Sequence, residues 1–414
     1  MSTQSREGRS RIECGRIERG RAECGRALIS VYDKRGLEEF ARGLVELGFE
    51  LVSTGRTLAA LTGWGIPAVA VSDVTGFPEI LDGRVKTLHP KVHGGILARR
   101  EPAHLSELAA HDIVPVEVVV SNLYPFRETV ADPGVSEAQA MEQVDIGGPA
   151  MLRAAAKNHP GVVVVVRPED YGSTLAALRR GITAEERREL AREAFAHTAA
   201  YDAAIVEYLS RGEELPRHLD VALERAEILR YGENPHQQGA RYREVGKRSL
   251  WDAAEQHSGL ALSYLNLFDA EAAWRLAHEL VGAAALQGSP GPNRAACVIV
   301  KHANPCGAAW GADLADAYTK AFDADPKSAF GGVVALPGHV DLALAELIVA
   351  RPKADVLMAS GFAPEALELL ARKRKNTRVL TLPPPGPAGL QLRRLDGGFL
   401  VQHADAVSLS RDGW

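Results

Sequence analysis

At 414 residues the chain is long enough for two or three ordinary domains with buried cores, and 48 basic against 53 acidic residues leave a net charge of −5. No global basic field argues for nucleic acid, and no polybasic run argues for a membrane surface. Four scattered cysteines, Cys14, Cys24, Cys297 and Cys306, exclude a disulfide scaffold and a spaced zinc site, and fit a reducing, cytoplasmic setting.

No apolar run approaches the ~20 residues that a bilayer crossing needs, and the N-terminus lacks the apolar middle of a secretion signal. The chain is expected to be soluble. RIECG, RIERG and RAECG repeat with a period of five. That period suits neither helix nor strand, so residues 1–26 are expected to be a disordered tail.

Ala27–Val31 reads as a short buried strand. A helix follows, because Leu37, Phe40, Ala41, Leu44 and Val45 form one apolar stripe, and Gly48 stops it. Phe49–Val52 is a second strand, and Ser53-Thr54-Gly55 turns into a helix ending near Gly63. This strand, helix, strand order implies a parallel pair with a right-handed crossover. Ligands of such sheets bind beyond the carboxyl ends of the strands. Lys34 and the Thr54-Gly55 turn both lie there, and a glycine turn at a helix start suits a phosphate.

The stretch Gly83–Gly95, GRVKTLHPKVHGG, is too polar for a core strand and too irregular for a solvated helix. In an extended backbone Arg84 and Lys86 point to the same side, with the Thr87 hydroxyl beside them, which describes an anion site. An exposed basic loop is the alternative. His89 and His93 are four apart, but Pro90 argues against a regular helix between them and no third ligand is in register, so a metal is rejected.

Glu117–Ser121 and Val162–Val166 are further strands, the second a β-branched run suited to a strand covered on both faces. Asn122-Leu123-Tyr124-Pro125-Phe126 leaves the first of them at the ligand edge. Asp145-Ile146-Gly147-Gly148-Pro149 opens a helix on which Arg153 and Lys157 share a face, a like-charge pairing that an acid or a bound anion would relieve.

SVYDKRGL, STGRT, TGFPEILDGRVKTLHPKVHGGILARR, SNLYPF, VDIGG and LRAAAKNH stand in this order from about Arg26 to about Leu209. The series resembles the IMP cyclohydrolase domain of the bifunctional purine biosynthesis family. The resemblance implies an α/β fold, a methylglyoxal-synthase-like doubly wound parallel sheet. It also implies closure of the six-membered ring of a formylated aminoimidazole carboxamide ribonucleotide, with loss of water, to give IMP. It makes Ser30, Lys34, Thr54, Gly55, Thr57, Arg84, Thr87, Asn122 and Gly147 the substrate-holding set, and Lys86, Tyr124, Asp145 and Lys157 the catalytic set. Ring closure polarises an oxygen at the formyl carbon, moves a proton from the carboxamide nitrogen and protonates a departing hydroxyl, so cations, an acid and a base are needed within reach. Tyr124 and Lys86 suit the donor role, and Asp145 that of a base or an orienting group.

Two positions depart from the family pattern. Tyr32 stands where members often have serine, and Arg56 where STGGT would supply a second glycine. Losing that glycine obstructs close backbone approach to a phosphate, or the guanidinium replaces the lost contact with a charged one.

Around Ser210–His218 the composition turns polar, a domain boundary. The domains are therefore expected at 27–212 and 213–414. RYGENPHQ reads as a loop dense in hydrogen-bonding groups, and Asp269–Leu280 as an amphipathic stretch. Ala295–Val300 is an apolar strand ending in KHANPCG, where an Asn-Pro turn is expected to bring Lys301 and His302 to one site. Cys306 reads as a small buried residue.

RYGENPHQ, KHANPCG, DADPKSAFGGVVAL and SGFAPEALELL resemble, in order, the transformylase domain of the same family, of α/β, cytidine-deaminase-like fold. The resemblance implies formyl transfer from 10-formyltetrahydrofolate with no metal, His302 as base and Lys301 assisting. Arg230, Tyr231, Phe330 and Asp355 would belong to the substrate and folate pocket. It also implies a homodimer with purine ribonucleotide intermediates and folate as partners, no nucleic acid and no membrane.

After PPPGPAG, a proline and glycine linker, the chain ends at Trp414. Family members continue further, so a partial second domain with weak or absent transformylase activity is expected. A methylglyoxal-synthase-like enzyme would share the first fold but leave RYGENPHQ and KHANPCG unexplained. A non-catalytic nucleotide-binding or regulatory module would take Tyr32 and Arg56 as marks of a decayed site.

Overall fold

RALISV, VEVVVSN and VVV are short, apolar and rich in β-branched residues, and each becomes a strand of one sheet. The structure is a computed structural model that describes residues 25–286, 295–386 and 389–405. The five-residue repeat with Cys14 and Cys24 lies outside them, as do residues 406–414. The chain divides into two units, Met1–Asp220 and Val221–Trp414.

In the first unit, β1 (Arg26–Val31), α1 (Leu37–Glu46), β2 (Glu50–Ser53), α2 (Gly55–Gly63), β3 (Val69–Ala70) and a short α3 (Val71–Thr75) come first. They are followed by α4 (Pro90–Leu97), α5 (Pro102–Ala110), β4 (Val116–Asn122), α6 (Phe126–Val130) and α7 (Glu137–Glu142). The unit closes with α8 (Gly147–Lys157), β5 (Val163–Val165), α9 (Tyr171–Arg180) and α10 (Ala184–Leu209). The strand order is β3-β2-β1-β4-β5, every pair parallel. From β1 the chain works outward to β3, then returns to the other side of β1 with β4. The crevice beyond the carboxyl ends of β1 and β4 is therefore a topological switch point, where such sheets take their ligands.

Alternation along each strand divides two cores. Leu28, Val52, Val119 and Val164 pack with Ile96 of α4, Met151 and Leu152 of α8, and Ala194 of α10. Ile29, Leu51, Val120 and Val165 face the other way, onto Leu37, Phe40 and Leu44 of α1. Burying side chains of this size stabilises by about 1.5–3 kcal/mol each before entropy is counted.

The basic stretch differs from the expectation. Leu81–Gly83 forms a tight turn with Leu81 and Asp82 at φ +54° and Gly83 at φ +86°, after which Arg84 takes right-handed helical angles, so Arg84 and Lys86 do not share an extended strand. Pro90 does not break a helix but begins one. It sits in the first turn of α4, where its missing N–H is not needed, and the His89 Nδ1 caps the helix by accepting the Lys91 N–H at 3.1 Å.

In the second unit, a hairpin of β6 (Leu223–Leu229) and β7 (Gly239–Glu244) precedes β8 (Glu255–Ser258), α11 (Tyr264–Leu286), β9 (Ala295–Lys301) and β10 (Asn304–Gly311). Then come α12 (Leu314–Ala324), α13 (Pro326–Ala329), β11 (Val333–Val340), α14 (Leu342–Ala350), β12 (Val356–Phe362), α15 (Pro364–Lys373) and β13 (Arg378–Thr381). The order β10-β9-β11-β12-β13-β8 makes a mixed sheet whose β11, β12 and β13 are parallel. Trp274 and the alanines of α11 cover one face, and α12, α14 and α15 the other. Past the proline segment, β14 (Leu390–Leu395) and β15 (Gly398–His403) form a hairpin whose two turn residues are Asp396 and Gly397, the glycine at φ +73°.

The turn after β9 is not at Asn304-Pro305. Lys301 pairs with Asn304 across the hairpin, so the two turn residues are His302 and Ala303, at φ +57° and +56°. Asn304 and Pro305 already belong to β10. Cys306 is half-buried rather than buried, its Sγ contacting the Ile299 carbonyl at 3.4 Å.

Candidate active site

A cleft of ≈ 730 Å³ opens at the switch point of the first sheet. It is lined by Ser30, Lys34, Thr54, Gly55, Thr57, Arg84, Lys86, Thr87, Asn122, Tyr124, Asp145 and Gly147, together with Tyr32, Arg56 and Glu142. Residues from five separate stretches of sequence therefore meet around one volume. Lys157 is not among them. It occupies the last, exposed turn of α8, and at ~1.5 Å rise per residue a helix of this length carries it about 15 Å from Gly147.

Several of these side chains hold the frame of the cleft. The Asn122 Oδ1 at the end of β4 accepts the N–H groups of Tyr32 at 2.7 Å and Asp33 at 2.9 Å, and its Nδ2 donates to the Asp33 carbonyl at 3.1 Å. That fastens the loop after β1 to the neighbouring strand. The buried Thr57 Oγ1 accepts the Val31 N–H at 3.2 Å and donates to the Val31 carbonyl at 2.9 Å, fixing α2 against the same strand end. A Cβ at Gly147 would stand 2.9 Å from the Thr87 Oγ1, so a side chain there would push the Thr87 hydroxyl aside.

The charges fall into two kinds. Arg84 is paired with Glu142 of α7 across the mouth of the cleft, and Lys86 with Glu79 at 3.0 Å. Lys34 donates to the carbonyls of Val31 at 3.3 Å and Tyr32 at 3.1 Å and meets no carboxylate among its hydrogen-bond partners. Partial burial, with Arg56 adding to it, lowers the Lys34 ammonium below its ordinary value.

Asp145 precedes α8, and its Oδ1 accepts the Gly148 N–H at 2.8 Å. Burial raises its carboxyl above the ordinary value, against the pull of the Gly148 and Gly147 N–H groups. A carboxyl raised in this way, in a cleft that Lys86 and Tyr124 also line, suits proton transfer.

In the second unit the sequence candidates lie along one sheet edge. Val300, Val333, Val356 and Arg378 are successive cross-strand partners, which places Lys301 and Asp355 just beyond them. Lys301 Nζ donates to the Phe330 carbonyl at 3.2 Å, the Asp355 N–H to the Gly332 carbonyl at 2.9 Å, and the Arg378 N–H to the Asp355 carbonyl at 3.0 Å. The Arg230 guanidinium lies over the Tyr231 ring at 4.8 Å and donates to its hydroxyl at 2.9 Å. Arg230, Tyr231 and Asp355 all act electrostatically on Arg378, whose guanidinium burial holds below its ordinary value. The exposed His302 stands at the tip of the β9–β10 turn, and Asp269 of α11 accepts the neighbouring Ala303 N–H at 2.7 Å.

Comparison with known proteins decides the family of the chain. The AICARFT/IMPCHase bienzyme family matches residues 155–414, and the MGS-like domain matches residues 36–150. The bifunctional purine biosynthesis protein PurH of Chloroflexus aurantiacus is 50% identical over 392 residues, 94% of this chain and 73% of that protein. The PurH proteins of Deinococcus radiodurans and Listeria monocytogenes are 52% and 47% identical, over 92% of this chain and 73% and 74% of theirs. The chain belongs to the AICARFT/IMPCHase bienzyme family.

In this AICARFT/IMPCHase chain the cleft and the cluster of Lys301, Asp355 and Arg378 stand on separate sheets. Sequence reasoning missed several residues that shape them. Glu79 and Glu142 pair with the cleft cations, yet each reads in the sequence as an ordinary surface acid. Tyr201 fixes the Asp145 loop from 56 residues away, and Arg378 joins the second cluster from the first position of β13. An arginine heading the apolar run RVLT was the available signal for the latter.

Proposed function

We propose that the first unit closes the purine ring of a formylated aminoimidazole carboxamide ribonucleotide, giving IMP and water. The second unit would transfer the formyl group from 10-formyltetrahydrofolate to the precursor amine. The observation that carries this reading is the meeting of Lys86, Tyr124 and Asp145 in one switch-point cleft with Lys34 and Thr54-Gly55.

In the cleft the carboxamide nitrogen adds to the formyl carbon, and the oxygen that becomes negatively polarised is stabilised by the Lys86 ammonium and the Tyr124 hydroxyl. Asp145 takes the nitrogen's proton directly or through a water, and the hydroxyl leaves as water after protonation. Glu79, paired with Lys86 at 3.0 Å, aims the ammonium. On the second unit, His302 would draw the proton from the weakly nucleophilic amine, with Lys301 assisting and Arg230, Tyr231, Phe330 and Asp355 around the substrates.

The proposed setting is cytoplasmic and the proposed assembly a homodimer. Large apolar side chains left exposed on the second unit, among them Ile228, Phe268 and Phe399, support the latter. Among the described residues no helix is long and apolar enough to cross a membrane.

The test is to incubate the purified chain with the formylated ribonucleotide and follow ultraviolet absorbance, then to repeat with the unformylated precursor and 10-formyltetrahydrofolate. Appearance of IMP in both supports the full reading, and in the first alone ring closure only. Tight IMP binding with no turnover in either would replace the enzyme reading by a nucleotide-binding module.

A further inference from the structure

The Arg56 guanidinium lies over the Tyr32 ring at 5.9 Å, and the Tyr32 ring meets Tyr124 edge-on, centroids 5.9 Å apart at 88°. Tyr32 and Arg56 are the two positions where the sequence leaves the motifs SVYDK and STGRT otherwise share with the family. The structure places them against each other, so the two departures form one local arrangement.

Four cations line the cleft: Lys34, Arg56, Arg84 and Lys86. Arg84 and Lys86 are neutralised by Glu142 and Glu79. Arg56 pairs with no carboxylate among the described residues, and it stands close enough to Lys34 to disfavour that residue's charge. Asp33 offsets part of this at Lys34, but no acid among the described residues is paired with Arg56 itself, and a bound anion would relieve the like-charge contact. Arg56 is also the second residue of α2, whose N-terminus no side chain caps, so the guanidinium and the unclaimed N–H groups of the first turn share one small region.

We propose that Arg56 is a ligand for the 5′-phosphate of the purine ribonucleotide, aimed by the Tyr32 ring, and that it replaces a backbone approach with a charged fork. The proposal rests on the nucleotide reading of the cleft. It makes this chain more dependent on the phosphate, and more sensitive to salt, than a relative with glycine at that position. A planar guanidinium presents two parallel N–H groups to phosphate oxygens, which glycine cannot do. The face of an aromatic ring restricts where the fork points without consuming its donors.

The experiment is calorimetric titration of the full chain with IMP and with inosine, for the unaltered chain, Arg56→Gly, Arg56→Lys and Tyr32→Ser. The expected result is an IMP affinity lowered about tenfold or more in Arg56→Gly, with inosine binding unchanged. Arg56→Lys should recover part of the loss, and Tyr32→Ser should fall between. IMP affinity that is unchanged or tighter in Arg56→Gly overturns the proposal, as does an equal loss for inosine, or no binding of IMP by the unaltered chain. If that chain binds IMP but does not form it, the ring-closure reading fails alone, and the contrast between IMP and inosine still decides Arg56.

Discussion

The Asp145 N–H donates to the Tyr201 hydroxyl at 2.9 Å, and that hydroxyl donates onward to the Gln143 carbonyl at 2.9 Å. One phenol of α10 thus closes the loop that presents the candidate base. Burial pushes its pKa up to about 12, so the proton needed for the second bond stays in place at every working pH.

Replacing Tyr201 by Phe keeps the ring, which meets Phe126 edge-on, and deletes both hydrogen bonds. The expected cost is about 1–3 kcal/mol of stability. A fall in kcat with little change in KM is expected too, because Asp145 loses its fixed position while the phosphate contacts remain. Urea unfolding and steady-state ring-closure kinetics measure the two effects. Unaltered kcat would show that the loop needs no such tie.

Lys86→Ala removes the ammonium proposed to meet the developing oxygen charge. Loss of such a group costs on the order of 10²–10⁴-fold in kcat, whereas IMP affinity should change only a few-fold, since Lys34 and Arg56 are untouched. Single-turnover kinetics beside calorimetry separate these terms. Undiminished turnover would remove Lys86 from the chemistry.

The first sheet was largely readable from sequence because its strands are uniform apolar runs and its helices carry clean stripes, as with Leu37, Phe40, Ala41 and Leu44. The candidate cleft was readable because its residues sit at strand ends and turns. What escaped were pairings that depend on the folded path. Arg84 and Glu142 are 58 residues apart and meet only because α7 returns to the cleft mouth. Pro90 was misleading because proline disfavours helix interiors but suits a first turn. His302-Ala303 holds no glycine or asparagine to mark a turn with positive φ, whereas the Asn-Pro pair that reads as a turn lies two residues later, in β10.

The Asp145 carboxyl carries a pH signature. Its pKa is raised in the folded chain above the ordinary 3.8, so the native state holds the proton more tightly than the unfolded one. Stability then falls as pH rises from the ordinary value through the raised one. Asp145→Asn can still accept the Gly148 N–H but carries no charge. The gap between the variant and the original chain should therefore move in the variant's favour across that window and stay level on either side, while ring closure is lost. Urea unfolding at a series of pH values measures it. A gap independent of pH would show that Asp145 titrates as it does when unfolded.

Ala303 holds φ +56° at the second central position of a two-residue turn, where glycine is preferred. A non-glycine residue in this conformation costs roughly 1 kcal/mol, so Ala303→Gly should stabilise the second unit by about 0.5–1 kcal/mol, offset in part by greater freedom of the unfolded chain. The Ala303 N–H can keep its bond to Asp269, and the register of Lys301 with Asn304 should hold. His302 beside it would gain freedom, however. If the strained turn positions His302 for proton transfer, the variant will melt higher yet transfer formyl groups more slowly. Thermal unfolding and the folate-dependent rate, measured on the same preparation, make the comparison. A variant that is both more stable and equally fast would show that the turn's strain contributes nothing to the chemistry.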